Sequence, residues 1–243
     1  MTRQPAQAGQ IEAGLEHLGY AIGFLPLTDF QLPDDTTQLS DMVAGLHQGR
    51  WDWLLLTSPN TIRALGALGW QPAVTETHTT IAVTGPGTAR VLYDHGATHT
   101  PWMPTDDASA DGILSQFPEG PGRLALPQAE AAGDAMTLGI TARGWDVTHV
   151  VAYHTVDYPA ASDRAFLPTQ HGVLAPPHLT ADDVVVLTAP SAARRWATLA
   201  VDVAAVIAIG QPTRRAAEHH NIALTATATS PDATGIAEVL ERL

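Results

Sequence analysis

Hydroxyl and amide side chains cluster at four places where an apolar stretch is followed by a proline, namely Pro59, Pro86, Pro190 and Pro212. Each proline stands at the expected first position of a helix, where its fixed φ suits the helix and its missing N–H has no intrahelical partner to lose. The free N–H groups of a first helical turn can hold an anion, assisted by the helix dipole. These turns therefore predict anion binding by neutral donors. The candidate ligand-binding residues are Thr57, Ser58, Asn60, Thr84, Gly85, Thr88, Thr188, Ser191, Gly210 and Thr213.

The alternative at each turn is that serine and threonine only cap a helix, as they do in most proteins. Capping alone is the better explanation for any single turn. Because four turns share one arrangement within a repeated frame, ligand binding is the interpretation that they favour together.

Tyr153 is the candidate catalytic residue, within the strand-like segment VVAYHTV. A phenol at the edge of a ligand site can donate a proton or a hydrogen bond to a reacting group. The alternative is a packed strand tyrosine with its hydroxyl at the rim of the core. Residue chemistry alone favours the packed alternative.

Metal and nucleotide chemistry find little support in the sequence. The chain has 11 histidines and no cysteine, but it has no His-Glu-x-x-His pattern, and Gly96 interrupts any helix between His95 and His99. No metal site is therefore predicted. Gly85-x-Gly87 lacks the third glycine of a dinucleotide fingerprint, and neither a P-loop nor a Gly-x-Ser-x-Gly elbow is present.

The formal net charge of −13, from 25 acidic and 12 basic residues, argues against a nucleic-acid partner. An anionic small molecule would need strong local donors to overcome this charge, and the alternative is that the charge only maintains solubility. No apolar run approaches the roughly 18 residues of a membrane-spanning helix. The opening residues MTRQPAQAGQ lack the apolar core of a signal peptide. We therefore expect a cytoplasmic protein that does not bind membranes.

An internal repeat organises the elements that carry these residues. IAVTGPGTARVLYDHGATHTPWMPTDDASADGILSQF begins at Ile81, and VIAIGQPTRRAAEHHNIALTATATSPDATGIAEVLERL begins at Val206. Both copies have the pattern of a strand, a glycine, a turn with proline and threonine, a helix, a short strand, a loop and a helix opened by an acid and a glycine. The preceding segments WLLLTSPNTIRAL and VVVLTAPSAARRW also correspond. The repeat predicts two similar lobes with a cleft between them.

Strands that alternate with helices predict parallel sheets covered by helices on both faces. The candidate turns would then lie at the carboxyl edges of the sheets, where open α/β sheets bind ligands. The middle of the chain supplies about five strands, including THTPWM, whereas the last third supplies only three, including IALTAT. Lobe one must therefore use the N-terminal segment, whose pattern predicts a helix over residues 7–18 and a strand over YAIGFLPL.

Lobe one is accordingly predicted to be discontinuous, formed by residues 1–28 and 158–243. Lobe two, residues 33–152, is inserted into it, with crossings near residues 26–33 and 153–159. Residues 159–182 hold several prolines and no clear period, and we interpret them mainly as a connector.

Taken in order, these segments resemble the uroporphyrinogen-III synthase family over nearly the whole chain. MTRQ through Gly19 is similar to the family's opening Thr-Arg-Pro segment and its helix, and LLLTSPNTIRAL to its Thr-Ser-Pro-Asn segment. IAVTGPGTARVLYDHG and VVAYHTV resemble two further family segments, and VVLTAPSAARRW and IAIGQPTRRAAEHHNI resemble their counterparts in the second lobe. No single motif is specific, but their order and spacing together are.

The resemblance implies two flavodoxin-like lobes with parallel sheets, joined by a two-stranded connector, with a cleft between the lobes. It implies cyclisation of hydroxymethylbilane to uroporphyrinogen III, with inversion of ring D and loss of water, by a monomer that needs no cofactor. The hydroxymethyl group of ring A would leave as the pyrrole nitrogen forms a cationic azafulvene, which ring D then attacks to give a spiro intermediate. Tyr153 matches the tyrosine that assists loss of the hydroxyl, and Arg3 falls in the opening substrate-binding segment.

Two positions depart from the family pattern. His154 stands where the family has arginine after the tyrosine, and Gln128, in LALPQAE, also replaces an arginine. Two cationic contacts with an anionic substrate are therefore in question. The alternative function that stays open at this point is a two-lobed, non-enzymatic binding or sensor protein for an anionic small molecule.

Overall fold

The computed structural model describes residues 1–168 and 171–243, and positions 169 and 170 of the expected connector lie outside the described residues. The strands are β1 (Thr28–Gln31), β2 (Trp53–Leu56), β3 (Thr80–Val83), β4 (Gly122–Ala129), β5 (Trp145–Asp157), β6 (Val184–Leu187), β7 (Ala205–Ala208) and β8 (Ala226–Thr227). The helices are α1 (Gln10–His17), α2 (Thr37–His47), α3 (Pro59–Ala67), α4 (Pro72–Thr75), α5 (Pro86–Asp94), α6 (Ala110–Gln116), α7 (Ala135–Ala142), α8 (Pro190–Trp196), α9 (Gln211–His219) and α10 (Ala233–Leu240). Short 3₁₀ turns span Pro5–Gln7, Glu130–Ala132 and Pro176–His178.

The chain forms two compact units. Unit 1 comprises Met1–Asp29, Val156–Ala160 and Leu167–Leu243, and unit 2 comprises Phe30–Thr155 and Ala161–Phe166. The short segment Ala161–Phe166, which the sequence assigned to lobe one, therefore groups with unit 2. Within the part of the chain that is described, no helix is both long and apolar enough to cross a membrane.

The sheet of unit 2 has the strand order β1-β5-β4-β2-β3, and the first residues of β1 and the last residues of β5 belong to unit 1. The pairs β2–β3, β2–β4 and β4–β5 are all parallel. The apolar run Leu54, Leu55 and Leu56 in β2 is fully buried, as expected for a parallel strand covered on both faces. The predicted α/β class with parallel sheets is confirmed.

The strand order of unit 2 reverses between β2 and β4. The chain passes from β2 to β3 on one side and later returns to β4 on the other side of β2. Open α/β sheets bind ligands at such a topological switch point, outside the carboxyl ends of the strands. The fold therefore identifies one place on this sheet edge where a ligand site is expected.

Unit 1 contains a second sheet, with the order β6-β7-β8 and parallel pairing throughout. Thr2 N donates to Val186 O at 3.1 Å, whereas Ile209 N donates to Leu187 O at 3.0 Å on the β7 side. Because successive carbonyls of a strand point to opposite sides, the N-terminal residues lie along the other edge of β6. The N-terminal segment therefore lies beside β6, and it joins this sheet by a backbone hydrogen bond from Thr2.

Some predicted strands form only in part. YAIGFLPL is an extended segment rather than a strand, because its backbone bonds go to Met1 and Leu174: Leu25 N donates to Met1 O at 2.9 Å, and Leu174 N donates to Phe24 O at 2.7 Å. THTPWM contributes a single parallel bridge between Trp102 and Ala82. IALTAT shortens to the two residues of β8.

The two faces of each sheet build separate parts of a core. In unit 1, Val185 and Leu187 pack on one face against α8 and α9, and Val186 packs on the other face against α1 and α10. This alternation follows from the two-residue period of a strand. In unit 2, Leu124 and Leu126 pack against residues of α6 and α7.

Three of the four helix-opening prolines occupy the expected first position, in α3, α5 and α8. The fourth differs, because α9 begins at Gln211 and Pro212 is its second residue. Both positions lie in the first turn, where an N–H has no intrahelical acceptor, so proline is tolerated at either.

Candidate functional site at the carboxyl edge of the unit 2 sheet

The carboxyl ends of neighbouring parallel strands in unit 2 carry most of the predicted site residues. Because the strands run parallel, their carboxyl ends meet at one edge of the sheet. Thr57 and Ser58 follow β2, Thr84 and Gly85 follow β3, and Tyr153 lies towards the end of β5. Gln128, in β4, completes this edge.

Gln128 and Thr57 meet across the switch point. Gln128 Nε2 donates to Thr57 Oγ1 at 3.3 Å, joining β4 to the residue that follows β2. The Gln128 side chain is buried, with only 3% of the residue exposed. Its Oε1 atom is buried and has no hydrogen-bond partner. The Gln128 amide is therefore buried against Thr57 and is not exposed to solvent.

Ser58 caps the N-terminus of α3. Its Oγ accepts a hydrogen bond from Asn60 N at 3.2 Å, which satisfies one of the free N–H groups of the first turn. Arg63 Nη1 donates to Asn60 Oδ1 at 2.9 Å, so a guanidinium one turn along the helix orients the Asn60 side chain. Ser58 therefore does cap α3, and its hydroxyl oxygen also makes a second contact.

That second contact comes from Tyr153, whose hydroxyl donates to Ser58 Oγ at 3.2 Å. The Tyr153 ring is buried and lies edge-on to Phe30 and Phe166, at centroid distances of 5.7 and 6.0 Å. Burial raises the pKa of the Tyr153 phenol above its ordinary value, while Ser58 and Asn60 act in the opposite direction. The phenol is therefore protonated at neutral pH and can act as a hydrogen-bond donor.

Unpartnered polar atoms concentrate at this edge. Among the described residues, the buried side-chain oxygens that lack any hydrogen-bond partner belong to Thr61, Thr84 and Gln128. All of them lie in unit 2, at the start of α3, after β3 and near the end of β4. Buried polar atoms are nearly always paired in proteins, so a set of unpaired oxygens at one edge of the sheet indicates a place where a partner from outside the chain is expected.

The β3 turn brings the backbone close to a neighbouring loop. Gly85 precedes α5 with an extended φ of 179°, which any residue can adopt. A Cβ at Gly85 would nevertheless lie 2.7 Å from Ala108 Cβ, so a side chain would displace that loop. Thr88, in the first turn of α5, is buried. Glycine therefore allows this turn to lie against the loop that contains Ala108.

His154 follows Tyr153 along β5 and pairs with an acid. Its Nδ1 lies 2.8 Å from Glu130 Oε2, and both side chains are partly exposed. Because Glu130 already contacts Nδ1 of the ring, that nitrogen is not available to an anionic ligand. The position where the family pattern has arginine is therefore electrostatically different in this chain.

The predicted residues of unit 1 form a group of their own. Thr188 N donates to Thr2 Oγ1 at 3.0 Å, and Thr2 Oγ1 donates to Val186 O at 3.1 Å. At the start of α8 the capping position is Ala189, so no side chain caps that helix, and Ser191 is half-buried. In the α9 turn, Gly210 has an extended φ of 180°, and Thr213 is buried.

Arg3 is held in a structural ion pair. Its Nε donates to Glu12 Oε1 at 2.6 Å, and its Nη2 donates to Glu12 Oε2 at 2.7 Å. Glu12 is buried and also accepts a hydrogen bond from Gly9 N at 2.9 Å. This bidentate pair fixes α1 against the opening residues, and the Arg3 guanidinium is already engaged with a carboxylate.

Sequence reasoning did not find the partners that surround these residues. Phe30 lies in β1, far from Tyr153 in the sequence. Phe166 lies in a stretch whose sequence has no helix or strand periodicity, so its position could not be predicted. The Gln128–Thr57 contact depends on β4 lying beside β2, which local patterns do not reveal. The repeated segments were the one available signal, because they show that a turn with threonine follows the first strand of each series.

The chain is similar to known proteins over most of its length. The family model for uroporphyrinogen-III synthase HemD matches residues 9–238. A rice protein named "Uroporphyrinogen-III synthase, chloroplastic" is 29% identical over 256 residues, covering 100% of this chain and 80% of that protein.

Two solved structures share the fold. The chain matches uroporphyrinogen-III synthetase from Helicobacter pylori with a TM-score of 0.60 and 16% identity, over 92% of this chain and 95% of the other. It matches a mutant uroporphyrinogen III synthase from the extremely thermophilic bacterium Thermus thermophilus with a TM-score of 0.58 and 17% identity, over 99% and 96% of the two chains. At these identities the likeness concerns the fold alone.

Proposed function

The chain belongs to the uroporphyrinogen-III synthase family, and we propose that the carboxyl edge of its unit 2 sheet binds hydroxymethylbilane, with Tyr153 assisting loss of the hydroxyl group. It is a uroporphyrinogen-III synthase, an enzyme that cyclises hydroxymethylbilane in tetrapyrrole biosynthesis. A non-enzymatic binding or sensor protein is not favoured. What the family does not supply is the assignment of roles to residues of this chain.

Neutral donors suit the anionic substrate. The carboxylates of hydroxymethylbilane would accept hydrogen bonds from Thr57, Ser58, Asn60 and Thr88, assisted by the dipoles of α3 and α5, whose N-termini lie at this edge. The overall charge of −13 repels such a substrate at a distance, so short-range donors must supply the attraction. Helix N-termini provide this without adding Lys or Arg.

The residues proposed to contact substrate from unit 1 are supported less directly. Thr188, Ser191, Gly210 and Thr213 occupy the same positions in the second copy of the repeat. Their role as ligand contacts is proposed from this correspondence. Arg3 stays a predicted contact as well, and its pairing with Glu12 makes it the least available of the group.

The observation that carries the assignment of Tyr153 is its hydrogen bond to Ser58 Oγ, at 3.2 Å. This bond aims a protonated phenol at the N-terminus of α3, where the substrate carboxylates are proposed to bind. As the C–O bond of the hydroxymethyl group breaks, the lone pair of the pyrrole nitrogen delocalises to give the azafulvene cation, and the departing oxygen takes up a proton and leaves as water. The phenol can exchange Ser58 for that oxygen and donate to it.

Orientation is the second demand of the reaction. Closure without control would join the unsubstituted end of ring D and give the uninverted isomer. Holding the chain of pyrroles in a folded conformation favours attack by the substituted carbon, and such positioning can lower a barrier by several kcal/mol. Several neutral donors spread over adjacent strand ends are suited to fixing several carboxylates at once.

The test is turnover of hydroxymethylbilane by Tyr153→Phe, with the type I and type III products separated. We expect turnover to fall by about 100-fold, the lower range for loss of a positioned proton donor. Tyr93→Phe, which alters an exposed tyrosine of α5, is the matched control and should retain full turnover. A near-normal rate for Tyr153→Phe would remove the tyrosine from the mechanism.

We further propose that the protein is cytoplasmic and monomeric. The proposed location differs from the one in the name of the rice relative, which is chloroplastic. Cell fractionation and light scattering on the purified protein test the two points separately. Recovery in an organelle or membrane fraction, or a mass of twice 25.6 kDa, would contradict them.

A further inference from the structure

The Thr57 hydroxyl makes only part of its possible hydrogen bonds within unit 2. A hydroxyl has one hydrogen to donate and two lone pairs that accept. Gln128 Nε2 occupies a lone pair of Thr57 Oγ1, at 3.3 Å. Among the described residues, no acceptor is paired with the hydroxyl hydrogen of Thr57. That hydrogen is therefore free for an acceptor that comes from outside the chain.

Thr188 occupies the corresponding place in unit 1, and its hydroxyl behaves differently. Thr2 Oγ1 donates to Val186 O at 3.1 Å, so the contact of 3.3 Å between the Thr2 and Thr188 hydroxyls uses the hydrogen of Thr188. The hydroxyl hydrogen of Thr188 is thus engaged within the chain. Of these two corresponding threonines, Thr57 is the one arranged as a donor.

The direction of the Gln128–Thr57 bond decides this property. If the amide were turned over, Gln128 Oε1 would accept the Thr57 hydrogen, and the amide nitrogen would be buried without an acceptor. With Nε2 directed at Thr57, the unpaired atom is Gln128 Oε1, and the Thr57 hydroxyl keeps its hydrogen for another acceptor. Because Gln128 is only 3% exposed, it acts on a ligand only through Thr57.

We propose that Gln128 is a positioning residue that keeps the Thr57 hydroxyl as a hydrogen-bond donor to a carboxylate of the substrate. The proposal rests on hydroxymethylbilane binding at this edge. A neutral amide contributes no charge of its own, so recognition of the carboxylate falls to the threonine hydroxyl. The contact belongs to substrate binding and not to the bond-breaking step, and it should govern KM more than kcat.

Gln128→Glu is the sharpest test, because an ionised carboxylate only accepts hydrogen bonds. The introduced carboxylate would accept the hydrogen of the Thr57 hydroxyl, so that Thr57 could no longer donate it to the substrate. We expect KM for hydroxymethylbilane to rise about tenfold or more, with kcat changed less than about threefold. Gln128→Met, which removes both hydrogen-bonding groups at similar volume, should raise KM only by about two- to threefold.

A pH readout separates positioning from simple damage. When the introduced glutamate is protonated it can donate to Thr57 again, so KM of Gln128→Glu should recover as pH falls, relative to the wild type. Burial should bring this recovery towards about pH 6 or above, since desolvation raises the pKa of a fully buried carboxyl group by about two or more units. Gln128→Met has no group that titrates and should show no recovery.

Substitutions of Thr57 provide a second test if a Gln128 variant fails to fold. Thr57→Val should raise KM about as much as Gln128→Glu, whereas Thr57→Ser keeps the hydroxyl and should stay within about threefold of wild type. The double variant Thr57→Val with Gln128→Glu should be no worse than Thr57→Val alone, because both remove one interaction.

The outcomes distinguish the two proposals. An unchanged KM in Gln128→Glu, no recovery at low pH, additive losses in the double variant, or an unchanged KM in Thr57→Val would each overturn the positioning role. If Tyr153→Phe is impaired and these variants are not, the site assignment stands and only this inference fails. If the Tyr153 variant and all of these variants are normal, the proposed site at this edge fails with it.

Discussion

The Tyr153 hydroxyl donates to Ser58 Oγ at 3.2 Å, and the same oxygen accepts from Asn60 N at 3.2 Å. One serine therefore serves both as the cap of α3 and as the resting partner of the candidate catalytic phenol. A change at Ser58 should alter the stability of a helix and the behaviour of Tyr153 together.

Ser58→Ala separates these two effects when it is compared with Ser109→Ala. Ser109 caps α6 through Gly112 N at 3.2 Å, in the same unit but with no contact to Tyr153. Each substitution should cost about 1 kcal/mol of unfolding free energy, as loss of a serine cap usually does. Only Ser58→Ala should also lower turnover, by about tenfold, the value of one hydrogen bond. Equal turnover in the two variants would argue that Ser58 is only a cap.

The raised pKa of Tyr153 predicts how its contribution to stability depends on pH. The ordinary pKa of tyrosine is about 10, and burial, opposed by Ser58 and Asn60, raises the pKa of Tyr153 in the folded protein. The neutral phenol therefore contributes stability that is fully present below about pH 10 and is lost as pH rises through the folded value.

Urea midpoints of the wild type and Tyr153→Phe, measured from about pH 7 to about pH 11, test this sign. The difference between the two proteins should stay constant to about pH 10 and then change, with the wild type losing more stability. A gain in stability specific to the wild type between about pH 8 and about pH 10 would indicate a phenol with a lowered pKa, contrary to the structure.

The internal repeat has a structural explanation in two glycines. Gly112 N donates to Ser109 Oγ at 3.2 Å, and Gly235 N donates to Asp232 Oδ1 at 2.8 Å, each in the first turn of a helix. A Cβ on Gly112 would overlap Asp107 O, and one on Gly235 would overlap the backbone of Ser230. In both units, the loop folds back onto the helix where only glycine fits.

Gly112→Ala and Gly235→Ala should each destabilise their unit by about 2–3 kcal/mol, because the added methyl group forces the loop away. Gly87→Ala is the matched control, since it also lies in a first turn and a Cβ there meets nothing within 4 Å. It should be neutral or stabilise by up to about 1 kcal/mol. Thermal unfolding measures all three. Equal effects would show that helix propensity, rather than loop contact, determines the cost.

Local patterns predicted the elements well and their surroundings poorly. The buried runs at Leu54 and Val185 and the prolines at the helix starts identified strands, helices and the edge where they meet. Pro212 shows the limit, since a proline fits either of the first two helical positions and so does not fix the first residue.

Contacts that depend on strand order were beyond the sequence. Gln128 reaches Thr57 only because β4 lies beside β2, and Tyr153 meets Phe166 only because the segment 161–166 returns to unit 2. The pairing of Arg3 with Glu12 was missed for a different reason. The pattern of α1 places a charged residue near its start without showing that it is buried.

Arg3 and Glu12 offer a prediction that also tests the proposed substrate role of Arg3. Removing one partner leaves the other partly buried and unpaired, so Glu12→Gln and Arg3→Met should each cost about 2–3 kcal/mol of unfolding free energy. The double variant should cost little more than either single variant, because both break the same pair. Glu16→Gln, an exposed acid on the same helix, should change stability by less than about 0.5 kcal/mol. A KM that rises in Arg3→Met but not in Glu12→Gln would support substrate contact, whereas an equal KM in both would leave Arg3 with the ion pair alone.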